Sequence, residues 1–324
     1  MSKAVALYPH LLRQCLLSCN ALICCFLFLF SLQADGQQTY QNTNAKLRVA
    51  SYNVENYLLM NRRVDGHWRR DYPKPESEKS ALRDVIRHHQ PDILALQEMG
   101  EELFLKELQA DLRDEGLHYP YRVWMPSNDG VRHLAVLSKI APAETHFHNH
   151  LDFPYRGERS LLRRGMLEVV FATGKSTPQT WHLFVFHLKS KWTEHDDDQE
   201  ANLFRTREAE AARNFIIGKL PPEKDNWFLI TGDLNDDPNS APIRRFLTRG
   251  DRTIGIALPT ADDRGHLWTH FWSRRSLYSV KDYFIASPSL TLQVVGKKGH
   301  ISTHPNGNDA SDHRLIYLDL QFGN

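Results

Sequence analysis

Cysteine is absent from most of the chain: all four, Cys15, Cys19, Cys24 and Cys25, fall within the first 25 of 324 residues. Thiol nucleophiles, CxxC redox chemistry and thiolate metal sites are therefore excluded from everything that follows. A surplus of either charge is absent as well, because 40 Lys and Arg stand against 39 Asp and Glu, a net charge of +1. That excludes a protein that coats nucleic acid by its overall field. Internal repeats, low-complexity blocks and a convincing domain boundary are also missing. What is present is 41% hydrophobic and 24% charged residues, enough to bury a sizeable core in one compact unit without disulfides.

The cysteines sit in a segment that does not read as part of the fold. A basic start, Lys3 and Arg13, leads into an apolar run over residues 15–32 broken only by Ser18, Asn20 and Ser31, with Ala34 as the small residue at a cleavage point. Residues 1–34 are thus predicted to be a signal peptide, and residues 35–46 a flexible polar spacer ahead of one domain at 47–324. Leu32 stands where a small residue is usual, which keeps an uncleaved membrane anchor as an alternative, and lipid attachment at Cys19, after Leu16-Leu17-Ser18, is a third. All three place the rest of the chain outside the cytoplasm, whether secreted, periplasmic or membrane-anchored. Cleavage after Ala34 removes two basic residues and no acidic ones, leaving 38 basic against 39 acidic, a net −1.

Beyond the spacer, residues 46–52 alternate apolar and polar and read as a strand ending at Asn53. Residues 76–89 have helical spacing and stop at Gln90-Pro91, after which 92–97 is a short buried strand with Glu98 at its end. Further helices are predicted over 101–115, 199–220 and 241–248. Strands are predicted over 119–124, 133–138, 166–171, 181–188, 227–231, 267–272, 282–286, 290–295 and 314–320. Strands outnumber helices without strict alternation, which argues for mixed sheets packed together with helices outside.

Polar residues fall repeatedly at strand ends: Asn53, Glu98, His187, Asp233 with Asn235, Asp282, and the pair Asp312-His313. Strand ends are where a rigid scaffold presents catalytic groups. Carboxylates, amides and histidines converging on one rim make an oxygen-rich divalent-metal site beside a general base. Such a site suits metal-assisted hydrolysis of a phosphate ester by in-line attack of water.

The series Ser51-Tyr52-Asn53-Val54-Glu55-Asn56, Leu96-Gln97-Glu98, His187-Leu188-Lys189-Ser190, Gly232-Asp233-Leu234-Asn235, Asp282-Tyr283-Phe284 and Ser311-Asp312-His313 resembles the endonuclease/exonuclease/phosphatase superfamily. That metal-dependent group contains deoxyribonuclease I, the exonuclease III type apurinic endonucleases, neutral sphingomyelinases and inositol polyphosphate 5-phosphatases. The six motifs occur in the family's order and cover roughly residues 47–320. The resemblance implies an α/β fold, a four-layered α/β sandwich of two mixed β-sheets packed face to face with helices on the outer faces. It also implies Mg2+ or Mn2+, with Glu98 as the principal carboxylate ligand and Asn53 and Asp312 near the same ion; a hard oxygen set disfavours zinc. Asp233 would orient or deprotonate the attacking water, and Asn235 would hold a nonbridging phosphate oxygen. His313 would stabilise charge, with its tautomer fixed by Asp282. The choice of base between His313 and Asp233 stays open, as does Glu55, either a second metal contact or a solvated neighbour.

His187 matches the branches in which a histidine at this strand end protonates the leaving oxygen, rather than the apurinic endonuclease branch with its tyrosine. An acid needs an orienting acceptor, and Asp129, in Ser127-Asn128-Asp129-Gly130, is the candidate. Arg164, before an inward strand, is expected to bind a flanking phosphate. Three other features are read as structural. His146, His148 and His150 alternate along one strand face and are taken as a solvated edge rather than a metal site. The acidic run 194–200 lacks the glycine and spacing of a calcium loop. The helix after it, with Arg205-Thr206-Arg207-Glu208-Ala209, resembles one in exported bacterial members, and its arginines are expected to brace the rim.

For the substrate, Lys189, Lys191 and Arg164 near the rim, with Trp68, Trp192 and Tyr57 for stacking, suit a nucleic-acid backbone. The alternative is a small-molecule or lipid-headgroup phosphoesterase, sphingomyelinase- or inositol-phosphatase-like. Against it, Gly-Asp-Leu-Asn is followed by Asp236-Asp237-Pro238, no Pro-Ala-Trp-Cys-Asp-Arg element occurs, and no long apolar insertion is available to enter a bilayer. The complete residue set disfavours a silent binding protein. The expectation is an exported divalent-metal-dependent nuclease, monomeric, without an obligate protein partner, and meeting a membrane only through an uncleaved leader.

Overall fold

The computed structural model describes residues 46–173 and 179–323. The predicted leader and the spacer up to residue 45 lie outside the described residues. Thirteen strands build two mixed sheets: β1 (Leu47–Tyr57), β2 (Ile93–Met99), β3 (Tyr121–Met125), β4 (His133–Ser138), β5 (Glu144–Phe147), β6 (Leu167–Ala172), β7 (Thr180–His187), β8 (Trp227–Asp233), β9 (Ile256–Ala257), β10 (Thr260–Ala261), β11 (Asp282–Ala286), β12 (Gly299–Ile301) and β13 (Ile316–Leu320). One sheet runs β10-β12-β13-β1-β2-β4-β3 and the other β9-β11-β8-β7-β6-β5. Their longest helical neighbours are α1 (Glu76–His89), α2 (Glu102–Asp114), α3 (Asn202–Lys219) and α4 (Ala241–Leu247).

Period-two alternation sorts the strand residues into three apolar clusters. Val49, Ala95, Leu183, Val185, Leu229 and Phe284 belong to a core shared by both sheets. Tyr52, Leu94 and Leu96 pack with Leu82, Ile86, Leu105 and Leu108 of α1 and α2. Phe184, Phe186 and Ile230 pack with Ala209, Ile216 and Phe246 of α3 and α4. Alternation also explains the position of the polar residues. The inward rows Val49-Ser51-Asn53, Val185-His187, Leu229-Thr231-Asp233 and Ala286-Phe284-Asp282 each end in a polar group. Asp233 is paired with His187 on one side and Asp282 on the other.

Gly232, immediately before Asp233, has φ of 129°, and a Cβ there would lie 2.0 Å from the Phe186 carbonyl oxygen. Only glycine lets β8 approach β7 this closely.

Two expectations fail. Residues 290–295 do not form a strand: Ser287 Oγ accepts from the Leu290 amide and Pro288 opens a short helix, Pro288–Thr291. That is a cap followed by a proline at the first helical position, which outweighs the apolar run. The histidine triplet is not a uniform solvated edge either. His148 is buried beyond the end of β5, with Nε2 2.8 Å from Glu168 Oε2, while Glu168, fully buried, is also met by His182 Nδ1 (2.6 Å) and Lys219 Nζ (2.7 Å).

Candidate active site

The polar row ends meet around Asn53. Its Nδ2 donates to Asp233 Oδ2 (3.1 Å) and stands 3.5 Å from His313 Nε2, and its Oδ1 accepts from the Glu55 amide (3.0 Å). Asp233 Oδ2 lies 3.5 Å from His187 Nε2 and 3.7 Å from His313 Nε2. On the far side of the His313 ring, Nδ1 is 2.8 Å from Asp282 Oδ2. Two hydroxyls fix the loops that carry this pair. Thr269 Oγ1 accepts from the Lys281 and Asp282 amides, and Ser311 Oγ donates to the Asn53 carbonyl while accepting from the His313 amide.

Glu98 reaches the site by a break in alternation. Strict period two would turn it to the helix side with Leu94 and Leu96. Instead the β1–β2 register shifts between Asn53 and Tyr57, and Glu55 (φ 47°), Asn56 (φ 54°) and Glu98 (φ 61°) are all left-handed. Such a bulge re-aims side chains at a cost of about 1–3 kcal/mol per strained residue. The result is that Glu98 Oε2 accepts from the Asn56 amide (2.9 Å) and Oε1 comes 3.8 Å from His187 Nε2. Asp312 joins through its amide, which donates to Glu55 Oε2 (3.0 Å). Asp233 also forms an Asx turn: its Oδ1 accepts from the Asn235 amide (2.9 Å), and Asn235 Nδ2 donates to the Leu188 carbonyl (3.0 Å).

Crowded, buried charge sets the protonation states. Burial pushes the Asp233 carboxyl up to about 6, with Asp282 and Glu98 adding to the rise and His313 opposing it. Burial and the Asp312 charge push Glu55 up to about 7 against the pull of Lys74. Burial alone would lower His313, but the Asp282 and Asp233 carboxylates outweigh it and hold the ring well above the usual histidine range. His187 goes the other way: burial, reinforced by Arg164, His313 and Arg132, keeps it well below that range and neutral.

The pairing of Asp129 with His187 does not form. Asp129 accepts from Arg164 Nε (3.0 Å), Ser127 Oγ (2.7 Å) and the Val131 and Arg132 amides, a full set that leaves nothing for the ring. His187 Nδ1 is buried without a hydrogen-bonding partner. Arg164 is itself buried, and with Nη1 donating to the Leu188 carbonyl (3.0 Å) only part of its fork faces outward. Three neighbours escaped the sequence reading. Arg132 donates from Nε to Asn56 Oδ1 (2.9 Å), 3.7 Å from Glu98 Oε2. His270 packs its ring 4.7 Å from that of His313 and lies 3.7 Å from Asp312 Oδ2. Thr269 is the third. None belongs to a recognisable motif; only a polar residue interrupting an apolar strand pattern marked Thr269 and His270.

The model of the "Endonuclease/Exonuclease/phosphatase family" matches residues 50–313, which span the whole cluster from Ser51 to His313. The chain belongs to the endonuclease/exonuclease/phosphatase family. Its members are metal-dependent phosphoric ester hydrolases, and this chain is an enzyme of that class. Among solved structures, the human Nocturnin catalytic domain is 16% identical over 86% of this chain and 94% of its own, with a TM-score of 0.58. Sphingomyelinase C from Streptomyces griseocarneus is 18% identical over 85% and 99%, TM-score 0.58. An AP endonuclease from Archaeoglobus fulgidus is 15% identical over 85% and 99%, TM-score 0.54. At these identities the likeness is one of fold. No curated protein matches the sequence.

The residues present fit a divalent ion. Glu55, Glu98, Asp233, Asp282 and Asp312 gather with His187, His270, His313 and Arg132, and burial together with neighbouring carboxylates raises Glu55 and Asp233, a rise that a cation would oppose. Asp282 Oδ1 is also buried without a partner. Among the described residues, the His, Asp and Glu groups whose ligand atoms lie within 4.8 Å of one another are Asp233-Asp282-His313 and His270-Asp312-His313. Glu98 belongs to neither, and meets the cluster through His187 and the bulge.

Proposed function

We propose that this enzyme is an exported nuclease that hydrolyses DNA or RNA phosphodiester bonds in the presence of Mg2+ or Mn2+. The observation that carries the reading is a pocket of about 680 Å3 beside the catalytic row, lined by Arg132, Arg163, Arg164 and Lys189 with Trp192 at hand. Arg132, Arg156, Arg163, Arg164 and Lys189 outnumber Asp129, Glu158 and Glu194 in its lining, and burial, with Arg164, Arg163 and Arg205, lowers the Lys189 ammonium to about 8, so the pocket favours further negative compensation. A chain of phosphates supplies that compensation on either side of the reacting one, and Trp192, 67% exposed, offers a ring for a base.

The bound ion would supply Lewis-acid stabilisation of phosphate charge, held by Glu98 with Asn53 and Asp312. His313, kept protonated by Asp282, presents Nε2 beside Asn53 and donates to a nonbridging oxygen. That assignment removes it as the base, and Asp233, with its carboxyl raised toward neutrality, takes the proton of the attacking water. His187 is neutral while alone; a phosphodiester anion against Nε2 favours its protonated form, from which it serves the leaving oxygen. The reading needs no partner subunit.

The test is a substrate profile of the purified protein with Mg2+ or Mn2+ on DNA, RNA, sphingomyelin, inositol phosphates and bis-p-nitrophenyl phosphate. Cleavage of a nucleic acid is expected. Hydrolysis of a lipid headgroup or inositol phosphate with nucleic acid left intact would replace the nuclease reading by its alternative.

A further inference from the structure

The hairpin of Met60–Val64 and His67–Tyr72 takes no part in the catalytic cluster yet stands on it. Arg62 Nη2 donates to the Asn56 carbonyl and Nε to that of Tyr72 (3.3 Å). Just past the second strand, the buried Lys74 donates to the Glu55 carbonyl (3.1 Å). Both legs are therefore fastened to the strained bulge that delivers Glu98. At the tip, Asp65 (φ 51°) and Gly66 (φ 81°) form the left-handed pair of a tight reversal.

The hairpin's charge is costly as it stands. Arg62, Arg63, Arg69 and Arg70 have only Asp65 and Asp71 as acidic company within the hairpin, and although Glu78, Glu55 and Glu98 lie near enough to favour the Arg62 charge, among the described residues none of these arginines forms an ion pair. Arg62 lies directly across from Arg69, and like charges so placed destabilise a two-stranded ribbon that is marginal to begin with. Residues 67–71 are all exposed, and Trp68 leaves 77% of its surface uncovered. One ring among charged side chains gives a bilayer little apolar area to take up. It suits a base, with cations on either side for phosphates.

We propose that this hairpin is an arm that grips the sugar-phosphate backbone of nucleic acid next to the reaction centre. The proposal rests on the nuclease reading and names the element that holds the polymer. Two variants test it, Trp68→Ala and the combination Arg63→Gln, Arg69→Gln, Arg70→Gln, with binding of a labelled DNA duplex and of its single strand followed in chelator, so that cleavage plays no part. Each phosphate contact contributes about 0.9 to the slope of log affinity against log salt, so the triple variant should lose about 2.7, or about forty-fold over a fourfold rise in salt. Trp68→Ala should weaken single-stranded DNA by about tenfold. Hydrolysis of bis-p-nitrophenyl phosphate should be unchanged in both, which also shows that the fold survives. Unchanged slope and affinity, no DNA binding by the wild type, or binding that is lost only to anionic vesicles would each overturn the arm. Wild-type cleavage of DNA with unaltered variants would leave the nuclease reading standing.

Discussion

Arg205 offers the clearest link between packing and catalysis. Its side chain is wholly buried on α3, with Nε donating to Asp236 Oδ2 (2.9 Å), Nη2 2.8 Å from the same oxygen, and Nη1 donating to the Lys189 and Glu200 carbonyls (3.0 Å each). It thus ties the loop after His187 to the loop after Asp233. Glu208, one turn on, accepts from the Arg163 (2.6 Å) and Lys189 (2.8 Å) amides. Replacing Arg205 by Met strands a carboxylate that is itself 3% exposed, and breaking a buried pair from one side costs about 3–5 kcal/mol. For a domain of this size that is about 5–8 °C in Tm. Thermal or urea unfolding of Arg205→Met, Asp236→Asn and the double variant measures it; the double should cost less than the sum by about 1–3 kcal/mol. Lys189 sits two residues beyond His187, so kcat on bis-p-nitrophenyl phosphate should fall about tenfold or more. A single-variant cost below about 1 kcal/mol, or strict additivity, would refute the bracing.

Asp282→Asn keeps an acceptor but removes the charge that holds His313 protonated; kcat should drop by about 10²–10⁴ with KM little changed, and the His313 titration seen by NMR should move down. A kcat within a few-fold of wild type would show that the charge is not used. Gly232→Ala drives a Cβ into the Phe186 carbonyl and should cost more than about 4 kcal/mol, read as loss of soluble, cooperatively melting protein. Far from the site, His89 is buried against Ser302 Oγ (2.7 Å) and the Tyr317 ring, and burial, with His88, Arg48 and His304, lowers it to about 3. Above the unfolded value, about 6.5, His89 is neutral in both states and does nothing. Below it the unfolded chain binds a proton that the fold refuses, so stability should fall toward pH 3 by up to about 1.4 kcal/mol per unit, a slope His89→Gln should reduce.

The strand-end residues were legible because burial and alternation act on sequence directly: a polar residue at the end of an apolar row has few places to go but the rim. The bracing by Arg205 was also anticipated. What alternation cannot convey is its own interruption: Glu98 was named as a strand-end residue, yet period two would turn it to the helix side, and the left-handed Glu55, Asn56 and Glu98 that re-aim it carry no glycine to announce them. Of the arginine-rich hairpin only Trp68 was singled out, and the element itself was missed because neither face is buried and no apolar period exists, although Asp65-Gly66 was a usable turn signal. Asp129 was misassigned because carboxylate partners are chosen in space: Arg164 lies 35 residues away in sequence and reaches it first. Glu168 shows the same limit, a buried charge whose three partners lie 14, 20 and 51 residues off.

The central claim is that the cluster of Asn53, Glu98, Asp233, Asp282 and His313 hydrolyses phosphodiester bonds of nucleic acid with a divalent ion. The most direct measurement is cleavage of DNA and RNA by the purified full chain and by His313→Ala, with Mg2+ or Mn2+, with chelator, and with the ion restored. Cleavage that requires the ion, returns with it, and falls by several orders of magnitude in His313→Ala is the predicted result. Ion-dependent hydrolysis of bis-p-nitrophenyl phosphate with both nucleic acids intact, or a His313→Ala variant as active as wild type, would contradict it.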